Sequence, residues 1–216
     1  MKCRLIVLFF SLFLSLNLLS STVAEPEDNG SDPVLDSLYA CYHLNKSFDS
    51  ALFQSCLLAI QHYPELRATT ITFRHKNIPT LMAARPTWWS IFRKKERRRY
   101  TIVISTNAGN SSEQLLSNMS VKGRTGIIGH EYAHISVYEK LSAPGLVWFG
   151  IRYILMKKRI ERETDRIAIE RGLGTEMLEY SKHIRKSKLA SRKYLRNKRK
   201  YYLSINEIQQ LVEKTL

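Results

Sequence analysis

The stretch GIIGHEYAHISVYEK, residues 126–140, decides how this chain folds and what it can hold. His130 and His134 are four residues apart, so on a helix both side chains lie on one face. Two imidazoles placed this way can bind one metal ion, and Glu131 can reach a water molecule on that ion. This is the HExxH pattern, in which two histidines hold zinc and the glutamate is a general base. The alternative is a core helix whose two hydrogen-bonded histidines bind no metal.

A catalytic zinc site needs a third protein ligand, and the segment IERETDRIAIERG, residues 160–172, offers acidic candidates. Glu161 and Asp165 share a helix face. Glu161 can be the third ligand, and Asp165 can accept the second ring N–H of a zinc histidine and so fix the orientation of the ring. Glu163 and Glu170 are rival ligands, although Glu163 is rotated about 200° from Glu161. The arginines among these acids leave open a simpler interpretation as solvated helix charge.

The N-terminus has the composition of a secretory signal peptide. A basic start and an apolar segment from Leu5 to Leu19 precede small residues that are typical of a cleavage point. We predict a signal peptide over residues 1–24, with an uncleaved anchor as the alternative. The protein would then be exported to the periplasm, the cell surface or the medium. Polar and acidic residues predict a disordered leader over residues 25–33, and residues 34–216 are long enough for a single domain with a core.

Two cysteines, Cys41 and Cys56, remain once the signal peptide is removed. An exported chain meets an oxidising compartment, where an even number of cysteines is typical of disulfides. Apolar residues at helical spacing predict two helices, over residues 34–46 and 48–61. A Cys41–Cys56 disulfide would link this helical hairpin and would stabilise it by about 3 kcal/mol.

The middle of the chain predicts strands, and the rest predicts helices. Residues 69–76, 78–84 and 100–106 have the alternation or the apolar β-branched composition of strands. Residues 85–99 carry two neighbouring tryptophans and seven basic residues, and they predict a projecting loop or hairpin tip. The pattern after residue 112 is helical. The predicted fold class is therefore α+β, with a small antiparallel sheet, an N-terminal helical hairpin and basic C-terminal helices.

The segment GLVWFGIRYILMKK, residues 145–158, is strongly apolar. Arg152 interrupts it, and the segment is too short to span a bilayer. We interpret it as a buried core helix, with a helix resting on a membrane surface as the alternative.

Residues 182–200 contain ten lysines and arginines and no acid, in a chain whose net charge is +15. This charge predicts a solvated basic helix, or one that binds an anionic envelope polymer or lipid headgroups. The neighbouring tyrosines also suggest nucleic acid binding. Export makes nucleic acid a poor partner, so none is expected.

HEYAH at residues 130–134, followed by ERETD at residues 161–165, resembles the gluzincin metallopeptidases. The nearest pattern is that of the CAAX prenyl protease and HtpX-like family and its soluble relatives, the minigluzincins. The resemblance covers about residues 100–172 and implies a zincin-like fold, bound zinc and a peptide or protein substrate. The residues carried over are the zinc ligands His130, His134 and Glu161, the base Glu131 and the outer carboxylate Asp165.

The chain departs from the family pattern on the second helix. Arg162 stands where an aromatic residue is usual and Thr164 where alanine is usual, and the membrane spans of the integral members are missing. The family layout also places an edge strand beside the active-site helix to hold an extended substrate, and residues 100–106 are the candidate. The residues that remain open as oxyanion stabilisers, with none preferred, are His183, Tyr180, Tyr201 and Tyr202.

Taken together, the motifs predict an exported zinc-dependent peptidase that hydrolyses peptide bonds with a metal-activated water. The alternative is a noncatalytic basic protein that binds the envelope or another surface and keeps a structural metal site. Glu131 favours the enzyme, since a structural site has no need of that carboxylate.

Overall fold

The computed structural model describes residues 32–215, so the predicted signal peptide and almost all of the predicted leader lie outside the described residues. The last residue of that leader, Pro33, instead begins the first helix. The helices of the described range are α1 (Pro33–Tyr42), α2 (Phe53–Ile60), α3 (Ser112–Ser117), α4 (Val121–Lys140), α5 (Ala143–Ala168), α6 (Gly174–Lys186), α7 (Arg192–Tyr201) and α8 (Ile205–Thr215). Its strands are β1 (Lys46–Ser47), β2 (Thr70–Lys76), β3 (Met82–Pro86) and β4 (Arg99–Ser105). The predicted α+β class is confirmed.

The sheet is mixed, in the order β1-β2-β4-β3, so the prediction of an antiparallel sheet is wrong. Strands β1, β2 and β4 run parallel, and only β3 pairs antiparallel to β4. Residues 102–105 of β4 are all buried, as expected for a strand covered on both faces. Strand β3 ends in Pro86, which has no N–H for a further ladder and suits an edge.

Helix α4 carries the HExxH motif through the middle of the fold. Ser120 caps its start by accepting the N–H of Gly123. From Thr125 to Ser136 every side chain is buried, because α4 packs against α2, α5, α6 and β3. The hydroxyl of Tyr63 donates to the carbonyl of Gly129 at 2.7 Å and ties the preceding loop to this helix. The motif is therefore held by rigid elements on several sides.

Gly126→Ala is expected to destabilise the fold by about 1–3 kcal/mol, the usual range for overpacking. A Cβ at Gly126 would lie 2.3 Å from the backbone oxygen of Glu176 in α6, and backbone cannot rotate away. This clash outweighs the roughly 1 kcal/mol that alanine gains over glycine in a helix. Gly150→Ala in α5 is the matched control, since no described atom lies within 4 Å of its Cβ. Denaturant unfolding should show the control stabilised; a stabilised Gly126→Ala would contradict the close packing of α4 on α6.

Helix α5 joins an apolar half to a charged half. Ser142 caps its start by accepting the N–H of Gly145. At Met156 the backbone leaves helical geometry (φ −123°, ψ 30°), so the helix bends between the two halves. A wider helical turn over Ile169–Leu173 follows, and Gly172 adopts a positive φ of 89° there. The bend separates the apolar half from the half that carries the buried Glu161 and Asp165.

The apolar half of α5 is not a buried core helix, and that interpretation is wrong. Between residues 145 and 158 only Leu146 is buried, while several large apolar side chains face outward. Over residues 32–215 no helix is both long enough and apolar enough to cross a membrane.

The predicted Cys41–Cys56 disulfide does not form in this structure, in which both cysteines are free thiols. Cys41 is exposed on α1, whereas Cys56 is fully buried on α2. The prediction assumed a simple helical hairpin, but β1 lies between the two helices and pairs with β2. Burial raises the pKa of the Cys56 thiol, which keeps it protonated in the core.

The basic segment over residues 182–200 forms the end of α6, a short connection and most of α7. Arg199 and Lys200 are exposed. Lys198 instead turns inward, with its Nζ 3.5 Å from the centre of the Tyr202 ring. Burial lowers the pKa of Lys198 to about 8. The segment is thus partly a solvated surface and partly packed inward, where Lys198 lines a small cavity with Asp165 and Tyr202.

Candidate metal centre

Helices α4 and α5 bring His130, His134 and Glu161 into one buried cluster. One ligand atom from each of the three residues lies within 4.8 Å of the others. The Oε2 atom of Glu161 is 3.2 Å from Nε2 of His130 and 3.5 Å from Nε2 of His134. All three side chains are almost fully buried. The structure therefore assembles the three residues that were predicted as ligands, and the rivals Glu163 and Glu170 are exposed.

The distances from the Glu161 oxygen to the two histidines fit a tetrahedral ion. Ligand atoms that each lie about 2.0–2.1 Å from a tetrahedral zinc are about 3.3 Å apart. The two distances from the Glu161 oxygen to the histidine nitrogens bracket this value. Two imidazoles and one carboxylate are also a donor set typical of catalytic zinc. The cluster can hold a metal ion, and its geometry suits zinc.

Asp165 orients the first histidine from behind. The Nδ1–H of His130 donates to Oδ1 of Asp165 at 2.8 Å, while Oδ2 of Asp165 accepts the backbone N–H of Leu203 at 2.9 Å. This contact fixes the ring so that Nε2 faces Glu161. The sequence pattern predicted the role of Asp165. It could not predict the hydrogen bond from Leu203, because that residue reaches Asp165 only when the chain after α7 folds back onto α5.

Carboxylates set the protonation of the cluster. Burial opposes a charge on His130, but hydrogen bonds to Asp165 and Glu161 outweigh burial and raise the pKa of His130 to about 10. Burial also opposes a charge on Glu161, but the two histidines outweigh it and lower the pKa of Glu161 below its ordinary value. Zinc ligation requires a neutral imidazole, so metal binding would release the proton from His130.

Asp165→Asn is expected to weaken zinc binding by about 10–100-fold, the usual cost of losing such an orienting carboxylate. The two carboxylate oxygens of Asp165 accept one hydrogen bond each, from the His130 ring and from the Leu203 N–H. Asparagine has a single neutral oxygen and cannot replace both. The matched control is Glu163→Gln on the same helix, because Glu163 is exposed and pairs only with Arg166 at the surface. Titration against a competing chelator measures both affinities. An unchanged zinc affinity in Asp165→Asn would show that the carboxylate does not support the ligand.

Glu131 lies beside the cluster and is held by the edge strand. Its Oε2 accepts the backbone N–H of Ala84 in β3 at 2.6 Å. The hydroxyl of Tyr138 lies 3.4 Å from the carbonyl oxygen of Ala84 on the same side. Both backbone groups of Ala84 therefore point away from β4 and toward the site. The layout of the resembled family pointed to residues 100–106 as the edge strand here, which is wrong, because β4 is central and β3 is the edge.

The two departures from the family pattern have clear roles. Thr164 lies behind the second histidine, with its Oγ1 3.4 Å from Nδ1 of His134 and its hydroxyl donating to the carbonyl of Ile160 at 2.9 Å. Arg162 turns away from the site and forms an ion pair with Glu207 of α8. Neither substitution disturbs the cluster.

Sequence reasoning missed Tyr153. Its hydroxyl donates to Oε1 of Glu161, the oxygen that does not face the histidines. Tyr153 lies eight residues before Glu161, which is about two turns on a helix. That spacing is the one signal in the sequence that could have predicted a contact between them. Among the four residues considered as oxyanion stabilisers, Tyr202 lines the cleft, and its ring is 5.7 Å from the ring of His130. His183 instead bonds the carbonyl of Leu115.

An open cleft of about 620 Å³ exposes the cluster. Strand β3 and the apolar half of α5 both line it, and the volume is typical of a ligand site. Side chains of both charge types and several apolar ones face the space. The lining includes Met82, Ala84, Arg85, Glu131, Tyr138, Phe149, Tyr153, Ile154, Lys157 and Tyr202.

No family model, curated protein or solved structure matches this chain. The function is therefore inferred from the geometry of the site and from the motif resemblance.

Proposed function

We propose that this protein is a zinc-dependent peptidase of the gluzincin type, exported through its N-terminal segment. The observation that carries the proposal is the position of Glu131. Its carboxylate is anchored by Ala84 in the wall of an open cleft, directly beside the His130, His134 and Glu161 cluster. A general base, a metal-ligand set and space for a substrate thus occur together.

A structural metal site is the weaker explanation of this arrangement. Structural zinc sites are closed by four protein ligands, whereas catalytic sites keep a position open. The cluster found within residues 32–215 has three ligands, and all three line the cleft. Glu131 would serve no purpose in a closed site, yet it is buried at a cost that its single backbone hydrogen bond only partly offsets.

Each residue of the site has its own role in the proposed reaction. A zinc ion held by the three ligands would polarise the scissile carbonyl and lower the pKa of a water molecule. Glu131 takes a proton from the attacking water and passes it to the leaving amine. Tyr202, which faces the cleft beside His130, is the donor best placed to stabilise the oxyanion. Tyr153 holds Glu161 in place and leaves its other oxygen free for the ion.

The substrate that suits this cleft is an extended peptide lying along β3. The direction of the backbone groups alternates along a strand. The N–H and C=O of Met82 and the C=O of Pro86 therefore lie on the same side as the backbone groups of Ala84. The N–H of Ala84 is already bonded to Glu131, so an extended peptide would pair with the outward backbone groups on either side of Ala84, and these main-chain hydrogen bonds would position its scissile bond across the cluster.

Removal of zinc should abolish cleavage of an unstructured peptide mixture, with a loss of at least about 100-fold, since the metal supplies several kcal/mol of charge stabilisation. Mass spectrometry of the products before and after chelation measures this. One equivalent of zinc should restore activity, while magnesium should not, because a site of two imidazoles and one carboxylate disfavours it. Cleavage that survives chelation, or that magnesium restores equally, would refute the proposed function.

A further inference from the structure

The surface around the cleft exposes an unusual concentration of large apolar side chains. Trp88 is 65% exposed, Trp89 76% and Trp148 59%, in a protein that has three tryptophans in all. Phe92 is also largely exposed. Trp88, Trp89 and Phe92 belong to the loop between β3 and β4, over residues 87–98, which we call the tryptophan loop. Single exposed apolar residues are common, but such a grouping marks an interaction surface.

A second set of apolar residues forms a stripe on α5. At 100° per residue its members cover about 120° of the helix circumference. The stripe faces away from the residues that line the cleft, apart from Ile154, which borders both. Its most exposed members are Ile154 at 81% and Leu155 at 75%. The full α5 stripe is Val147, Trp148, Ile151, Ile154 and Leu155.

The end of the tryptophan loop is anchored next to the start of α5. Arg98, at the end of the loop, donates to the carbonyl of Leu141 at 2.7 Å, two residues before α5 begins. The loop follows directly on Pro86, which lines the cleft together with Leu146 and Phe149 of α5. The segments that carry the two apolar sets therefore both adjoin the cleft, although of the apolar residues in the two sets only Ile154 lines it.

Basic side chains surround both sets. Arg93, Lys94, Lys95 and Arg97 are exposed on the tryptophan loop, with Glu96 as its one acid. Residues 143–160 contain four basic residues and no acid, and Lys158 and Arg159 are exposed beside the stripe. Lys200 of α7 borders the same side of α5 as Leu155. Apolar and aromatic side chains set in a basic surround are typical of a protein that rests in the headgroup region of a membrane.

The geometry points to an anionic lipid bilayer as the occupant of this surface. We propose that the tryptophan loop and the α5 stripe insert into the headgroup layer and hold the protein on the membrane with the cleft beside it. Charge complementarity decides the occupant, because a second copy would bring one basic surround against another. This inference does not depend on the proposed hydrolysis.

Tryptophan fluorescence tests the inference directly, since every tryptophan lies on the proposed surface. In the free protein the emission should be that of water-exposed indole. Vesicles of phosphatidylcholine with phosphatidylglycerol should shift it to the blue, and lipids brominated near the headgroup should quench it. The protein should bind more weakly to vesicles of phosphatidylcholine alone. Added salt should weaken its binding to the anionic vesicles. The N-terminal residues 1–31 contain no tryptophan, so they cannot produce the signal.

A matched pair of variants locates the contact. Ile151→Ser with Leu155→Ser removes two exposed stripe residues, keeps all three tryptophans and should weaken vesicle binding on the order of tenfold. Leu44→Ser, a comparably exposed residue between α1 and β1 that belongs to neither apolar set, should change nothing. Three results would overturn the proposal. The first is that the protein sediments with vesicles but its tryptophan emission does not shift to the blue. The second is that the emission is already blue before vesicles are added. The third is that the protein binds soluble dextran sulfate as tightly as it binds the vesicles.

Discussion

Glu131→Gln is expected to lower peptide hydrolysis by about 10²–10⁴-fold, the usual effect of losing a general base. Glutamine matches glutamate in size and keeps an oxygen that can accept the N–H of Ala84, which Oε2 of Glu131 accepts at 2.6 Å. The edge strand and the helix should therefore stay in place. Zinc should also stay, because Glu131 is not part of the ligand cluster. Only the proton acceptor is lost.

The assay for this variant compares three proteins under the same conditions. Peptide cleavage and zinc content are measured for the parent, for Glu131→Gln and for Glu163→Gln, which makes the same chemical change at an exposed position. We expect full zinc in all three and loss of cleavage in Glu131→Gln alone. If Glu131→Gln cleaved as fast as the parent, the enzyme proposal would fail even with zinc bound, and a noncatalytic protein with a structural metal would be the better account.

The second large effect is expected from His134→Ala, which removes one of the three ligands. Zinc sites in small proteins bind with about 10–16 kcal/mol in total, so the loss of one ligand should weaken binding by about 10²–10³-fold. After dialysis against a competing chelator the parent should keep one zinc per chain and the variant almost none. Tyr138 and Tyr153, whose rings lie about 6 Å from the His134 ring, limit the collapse of the site.

His43→Ala is the control for this experiment. His43 is exposed and bonds the carbonyl of Tyr39 within its own segment, far along the chain from the cluster. Atomic absorption on both variants, with circular dichroism to confirm folding, gives the comparison. A folded His134→Ala that retained one zinc per chain would place the metal elsewhere.

Local spacing explains why the site could be predicted in outline. His130 with His134 and Glu161 with Asp165 are pairs four residues apart, and a helix fixes such a relation before any tertiary contact forms. The motif resemblance then joined the two pairs. The contacts of Glu131 with Ala84 and of Asp165 with Leu203 could not be predicted in this way, because each joins segments that meet only in the folded chain.

The sheet shows a different limit. Alternation and β-branched residues located β2 and β4 within one residue and placed the start of β3 four residues too early, but they do not fix the order of the strands. The layout of the resembled family predicted an edge strand beside the active-site helix, and residues 100–106, which form most of β4, were the candidate. The burial of β4 on both faces places it between β2 and β3, and the shorter β3, ending in Pro86, takes the edge beside the site.

Helix α5 shows that apolar composition does not identify what covers a surface. Residues 145–158 have the composition of a core helix, yet the protein itself buries only Leu146 there. Likewise, an even number of cysteines suggested a disulfide, but Cys56 is used as a small core residue and Cys41 faces solvent. Both outcomes depend on how the elements pack, which single-segment patterns do not contain.

X-ray absorption at the zinc edge, on protein purified with its metal, tests the central claim most directly. We predict one zinc per chain with two imidazole nitrogens at about 2.0–2.1 Å and carboxylate or water oxygens at about 2.0–2.2 Å. The histidines would be His130 and His134, and the carboxylate that of Glu161. The chain has three cysteines, so sulfur ligation is a real alternative. A sulfur shell at about 2.3 Å, or protein that takes up no zinc, would contradict the account.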